Sequence, residues 1–97
     1  MRFSIPNQGG LAVHWLRRLG YQPSPQRDSY VRRLSSAGYP RFHLYITAED
    51  EKNCYLSLHL DQKKISYQGQ KAHSGEADGA LVREEKERII NLLDLPN

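Results

Sequence analysis

The sequence predicts an α+β fold, αβββα: a helix, a three-stranded antiparallel sheet and a second helix, with both helices on one sheet face and room for a short N-terminal edge strand. Three observations predict it. Apolar residues recur at three- and four-residue spacings near both ends, at Leu11, Trp15, Leu16 and Leu19 and again at Val82, Ile89, Ile90 and Leu93. Between them two stretches alternate: Phe42, Leu44 and Ile46 against Arg41, His43, Tyr45 and Thr47, then Cys54, Leu56, Leu58 and Leu60 against Tyr55, Ser57, His59 and Asp61. A helix with one apolar stripe and a sheet with one apolar face bury each other, which sets both helices on the same side.

The elements follow in order. Phe3 and Ile5 alternate with Arg2 and Ser4 ahead of Pro6, the pattern of a short edge strand or of an arm laid over the core. Asn7 is placed to cap a helix over residues 8–19, and Gly20 suits the position just past its end. Pro23 and Pro25 make residues 21–27 an extended connector. Tyr30 and Val31 favour a strand over residues 29–34, but Arg32 and Arg33 leave its inward face undecided and suggest an edge position or a snorkelling side chain. Gly38 and Pro40 mark a turn. Asp78 is placed to cap the last helix, Glu84 and Arg88 form a four-residue pair, and Pro96 stops it.

The two alternating stretches form a hairpin. Opposed residues share a face, so keeping both apolar sets together requires paired numbers with an even sum, hence an odd number of loop residues centred on Glu51. His43 then faces His59, Arg41 faces Asp61 and Tyr45 faces Ser57; a shift of two sets His43 against Asp61 instead.

Composition bounds the rest. With 97 residues, 38% hydrophobic and 26% charged, the chain is long enough for one domain, 1–97, with one modest core. The net charge of +3 is a small bias toward polyanionic partners such as RNA. Cys54 stands alone, which excludes an internal disulfide framework and a thiolate zinc cluster and fits a reducing cytoplasm. The absence of a signal-like start and of any run of about twenty apolar residues points away from secretion and membrane insertion.

The helix, three strands, helix order, with Leu19, Gly20 and Tyr21 after the first helix and His43 near the start of a strand, resembles the double-stranded-RNA-binding topology found in small mRNA-interferase toxins. The Gly-Ser-His signature of those toxins is replaced by Tyr39, Pro40, Arg41 and Phe42 before His43. The stretches 39–45, 59–64 and 73–76 also resemble a group of small uncharacterised bacterial proteins, which implies a bacterial source and brings no known activity with it.

The polar sheet face is the expected working surface. The leading expectation is an RNA-binding module: Tyr45 and Tyr55 stack on bases while Arg32, Arg33, Arg41, Lys63 and Lys64 contact phosphate. The second is a small hydrolase or ribonuclease with His43, His59 and Asp61 as acid/base residues, metal-free or metal-dependent. A zinc or other divalent site would draw on His59, Asp61, His73 and Glu76, although no metal-binding signature is present and no cofactor is expected. The third is a structural or protein-interaction domain, including a homodimer made through the sheet. For residues 73–78 the competing reading is a helix start, whose acidic residues suit the positive end of the dipole. No Ser/His/Asp motif, phosphate loop or dinucleotide fingerprint is legible.

Overall fold

Strand pairing extends well beyond the hairpin. The strands β1 (Arg2–Pro6), β2 (Gln22–Pro23), β3 (Ser29–Arg33), β4 (Arg41–Glu49) and β5 (Asn53–Asp61) join antiparallel in the spatial order β1-β5-β4-β3-β2. A two-residue strand, β6 (Gly75–Glu76), pairs with the end of β5. The helices are α1 (Ala12–Arg18) and α2 (Ala80–Leu92). The computed structural model describes residues 1–62, 75–76 and 79–96.

The expected three-stranded αβββα layout is therefore not the layout of this chain. Residues 2–6 are a full partner of β5, running from Arg2 opposite Ser57 to Pro6 opposite Asn53. Their alternation explains why: Ile5 is buried against the core and Phe3 packs partly on it, so the segment gains apolar burial as well as a ladder. Met1 extends the pairing, since its ammonium donates to the Leu58 carbonyl and its own carbonyl accepts the Leu58 N–H. With the first strand beside the fifth, and β2 added at the other edge, the sheet departs from the expected three-stranded layout.

The β4–β5 hairpin has the register that keeps its apolar sets together: Arg41 opposite Asp61, His43 opposite His59, Leu44 opposite Leu58 and Tyr45 opposite Ser57. The expected odd loop is replaced by a different device. The Asp50 N–H donates to the Asn53 carbonyl, Asp50 Oδ1 accepts the amides of Lys52 and Asn53, and the odd residue sits as a bulge between Ile46 and Ala48. Parity is satisfied inside the strand because the aspartate side chain closes a tighter turn.

Helix α1 starts later than residue 8. Gly9 and Gly10 have φ of +69° and +64°, a left-handed pair that no helix continues through. Asn7 does not cap it: its Oδ1 accepts the Gly9 amide and its Nδ2 donates to the Asp50 carbonyl, tying the end of β1 to the hairpin turn. Leu11 occupies the cap position, 64% exposed, while Trp15, Leu16 and Leu19 are buried. Gly20, at φ +95°, ends the helix as its position suggests.

Helix α2 begins after Gly79; the expected cap, Asp78, lies outside the described residues. Its end precedes Pro96. Asp94 takes the left-handed conformation (φ +56°) while the Asp94 N–H bonds the Asn91 carbonyl and the Leu95 N–H bonds that of Ile90, a glycine-type terminus built on an aspartate. Asp94→Gly is expected to stabilise the protein by about 0.5 kcal/mol, raising Tm by roughly 2–4 °C in a thermal melt, because it relieves the Cβ contact at some cost in unfolded-chain entropy.

Both helices contribute to one core. Trp15 and Leu16 from α1, Leu19 just past its end, and Val82 and Ile89 from α2 pack with Ile5, Phe42, Leu44, Cys54, Leu56, Leu58 and Leu60 of the sheet. The pairing also decides the side of β3, since Tyr30 opposes Leu44 and Arg32 opposes Phe42 on this face. Arg32 ends in an ionic cluster rather than in solvent. It donates to both oxygens of buried Glu85 (Nε–Oε2 3.0 Å, Nη2–Oε1 2.7 Å), Arg88 does likewise, and Tyr21 Oη adds a bond of 2.6 Å. Arg88 is therefore bonded to Glu85, three residues away, and the expected Glu84 pairing is superseded.

Candidate functional site

The second sheet face is covered by neither helix, yet its centre is not the open surface that alternation suggests. Alternation along three strands brings Ser29 and Val31 of β3, Arg41, His43 and Tyr45 of β4, and Ser57, His59 and Asp61 of β5 to this side. Ser29 is 2% exposed, Val31 2%, His43 7% and Ser57 9%. Tyr45, His59, Arg41 and Asp61 are half-buried, and Tyr55, Arg2 and Arg33 are exposed.

A continuous hydrogen-bonded chain runs through the buried centre. His43 Nδ1 lies 3.2 Å from Asp61 Oδ2, and His43 Nε2 lies 3.0 Å from Ser29 Oγ. Ser29 Oγ is in turn bonded to Ser24 Oγ, and Arg41 Nε donates to Asp61 Oδ2 at 3.2 Å. A carboxylate only accepts, so Nδ1 carries a proton toward Asp61; in the neutral form of the ring Nε2 then accepts from Ser29, which accepts from Ser24. The Tyr45 ring stacks on His43 with centroids 4.4 Å apart and 21° between planes, and its hydroxyl donates to Gln26 Oε1. His43 is thus held on both ring nitrogens and across one face.

His59 is the more accessible imidazole. It meets Tyr45 edge-on at 5.6 Å, and its Nε2 lies 3.2 Å from Ser57 Oγ. Burial, then the nearby N-terminal ammonium, lowers its pKa below the ordinary 6.5, so it is a neutral proton acceptor at pH 7. Tyr45 shifts upward through burial first and the Asp61 carboxylate second, and stays a neutral donor.

The residues expected at the site divide as follows. His43, His59, Asp61, Arg41, Tyr45 and Tyr55 share this face, and exposed Arg33 pairs opposite Arg41. Arg32 is on the other face, committed to Glu85. Glu76 is placed by its backbone opposite Leu60, and Lys63, Lys64 and His73 lie outside the described residues. Among the described residues no group of three or more His, Cys, Asp or Glu side chains could hold a metal ion. Arg41, set between the Tyr39 ring at 4.6 Å and Asp61, is fixed rather than free-swinging.

Sequence reasoning missed Ser24, Ser29 and Arg2. Ser29 joins His43 across 14 positions and only through the β3–β4 register, for which the sequence carries no spacing signal. Arg2 was legible as an outward residue of a short strand, but its neighbour β5 was not. With Phe3, Ser4, Thr47, Ala48, Tyr55 and Leu56 it lines a shallow depression of about 530 Å³. Among the described residues no helix is long and apolar enough to cross a membrane. No protein-family model, curated protein or solved structure matches the chain.

Proposed function

We propose that this is an RNA-binding domain that takes a short unpaired segment along the exposed rim of the second sheet face. The observation that carries it is that exposed Tyr55 and Arg2 line the same depression of about 530 Å³ at one end of β5. A base stacked on that ring would place its phosphate near the guanidinium. From Tyr55 the strand runs past His59 to Asp61, beside Arg41 and exposed Arg33, a span of roughly 20 Å at 3.3 Å per residue. Sheets of that length stack two or three bases in other RNA-binding folds. The hydrogen-bonded network beneath, from Ser24 to Arg41, holds His43, on which the Tyr45 ring stacks, so little ordering cost falls on Tyr45 on binding.

Fluorescence anisotropy with labelled single-stranded RNA tests this. Micromolar or tighter binding is expected, weakening with salt. Tyr55→Ala should lose about 1–3 kcal/mol of affinity, the usual value of one stacked base. Arg2→Ala should instead reduce the slope of log K against log salt by about 0.7, one phosphate contact on a single strand. Absence of RNA binding at low salt, or a Tyr55→Ala variant that binds as the parent does, overturns the reading.

A further inference from the structure

We propose that Ser24 is a nucleophilic serine, activated through Ser29 by the His43–Asp61 pair, and that the site transfers an acyl group from a small carboxylic ester to water. This goes beyond RNA binding and does not depend on it.

The geometry has two independent parts. The first is the order of the chain: Asp61 on Nδ1 at 3.2 Å, a serine hydroxyl on Nε2 at 3.0 Å. That is the connectivity by which a carboxylate orients an imidazole so that it can take a serine proton. The second is exposure. Ser29, bonded directly to His43, is 2% exposed and too enclosed to attack an ester carbonyl itself, whereas Ser24, bonded to Ser29, is half-buried at the surface end of the same chain. Ser24 stands between Pro23 and Pro25, whose fixed φ angles hold the loop, and its amide donates to the Ser29 carbonyl. The hydroxyl is thus positioned from both sides. Arg41 on Asp61 Oδ2 and Tyr45 stacked on His43 are positioning residues, restricting the carboxylate and the ring.

The step balances without a cofactor. Ser24 Oγ attacks the ester carbonyl carbon; its proton moves to Ser29 Oγ as the Ser29 proton moves to His43 Nε2. The resulting imidazolium is stabilised by Asp61. Collapse of the tetrahedral intermediate breaks the bond to the leaving alkoxide, which takes the proton of Ser29 Oγ as His43 Nε2 returns its own to Ser29. Water in the place of the alkoxide then gives a proton to Ser29 Oγ as Ser29 gives its own to His43 Nε2, and attacks the acyl carbon; His43 returns the proton through Ser29 to Ser24 Oγ as the acid leaves.

The test uses the whole chain, with a fluorophosphonate probe and p-nitrophenyl acetate. The probe should form one adduct, mapped to Ser24 by peptide mass spectrometry, as a Ser24 Oγ–P bond forms and fluoride leaves. Ser24→Ala should abolish both the adduct and ester turnover. His43→Asn should lower turnover by about 100-fold or more, the usual contribution of a general base. Ser24 lies in a surface loop, so Ser24→Ala reads the chemistry even where His43→Asn fails to fold. No adduct, an adduct on another residue, or turnover unchanged in Ser24→Ala overturns the proposal. Loss of RNA binding in Tyr55→Ala with labelling of Ser24 intact separates this activity from the binding site.

Discussion

Replacing Glu85 with alanine is expected to cost about 3–5 kcal/mol, the range for removing one partner of a buried ionic cluster. In a protein of this size that corresponds to a Tm lower by more than about 12 °C. The side chain is 1% exposed and accepts from Arg32, Arg88 and Tyr21, which come from β3, α2 and the segment after α1. Without it two guanidinium groups and a buried phenol lose their shared acceptor, while Arg88 Nη2 stays bonded to the Leu19 carbonyl at 2.6 Å and the Arg32 stem runs past Gly20 and Phe42. A pH series sharpens the test. Burial by itself would raise the Glu85 carboxyl, but the hydrogen bonds from Arg88, Arg32 and Tyr21 outweigh it and hold the group below its usual range. A depressed folded value means that the stabilisation is complete above the unfolded pKa of about 4.3 and is lost as pH falls through the folded one. Urea titrations between about pH 6 and pH 3 should show that loss in the parent and lack it in Glu85→Gln. Equal acid sensitivity in both proteins would count against the cluster.

Leu58→Ala should destabilise by about 2–5 kcal/mol, because the side chain is fully buried at the centre of the apolar face and its removal leaves a cavity. Tyr55→Ala, three residues away on the other face, should change stability by about 0.5 kcal/mol or less while weakening RNA. Equilibrium unfolding of the pair therefore checks which face is core and which is surface. Similar losses in both variants would contradict the assignment.

The contrast between these two residues was legible from alternation alone. Strict period-two patterning in residues 42–46 and 54–60 determines which side chains enter the core, because a slip of one residue would expose all of them. Parity of the apolar residues left His43 opposite His59 or, two residues shifted, opposite Asp61; the assembled hairpin has the first, with Arg41 opposite Asp61. Gly20 as a helix end was legible for a similarly local reason, its left-handed conformation.

What the tertiary structure decided depends on partners distant in the chain. Residues 2–6 carry a strand's alternation, but only β5, fifty residues on, makes them part of the sheet and adds Arg2 to the surface beside Tyr55. Arg32 and Arg33 are equivalent as neighbours in sequence; Glu85 on α2 draws Arg32 to the core side and leaves Arg33 on the other. The relay from Ser24 through Ser29 and His43 to Asp61 joins a loop and three strands, and no spacing encodes it. Local periodicity determined which face of each element is buried, since that depends on the residues of the element itself; ion pairs and hydrogen-bonded chains need side chains from several elements at contact distance, and only the assembled sheet and helices supply that.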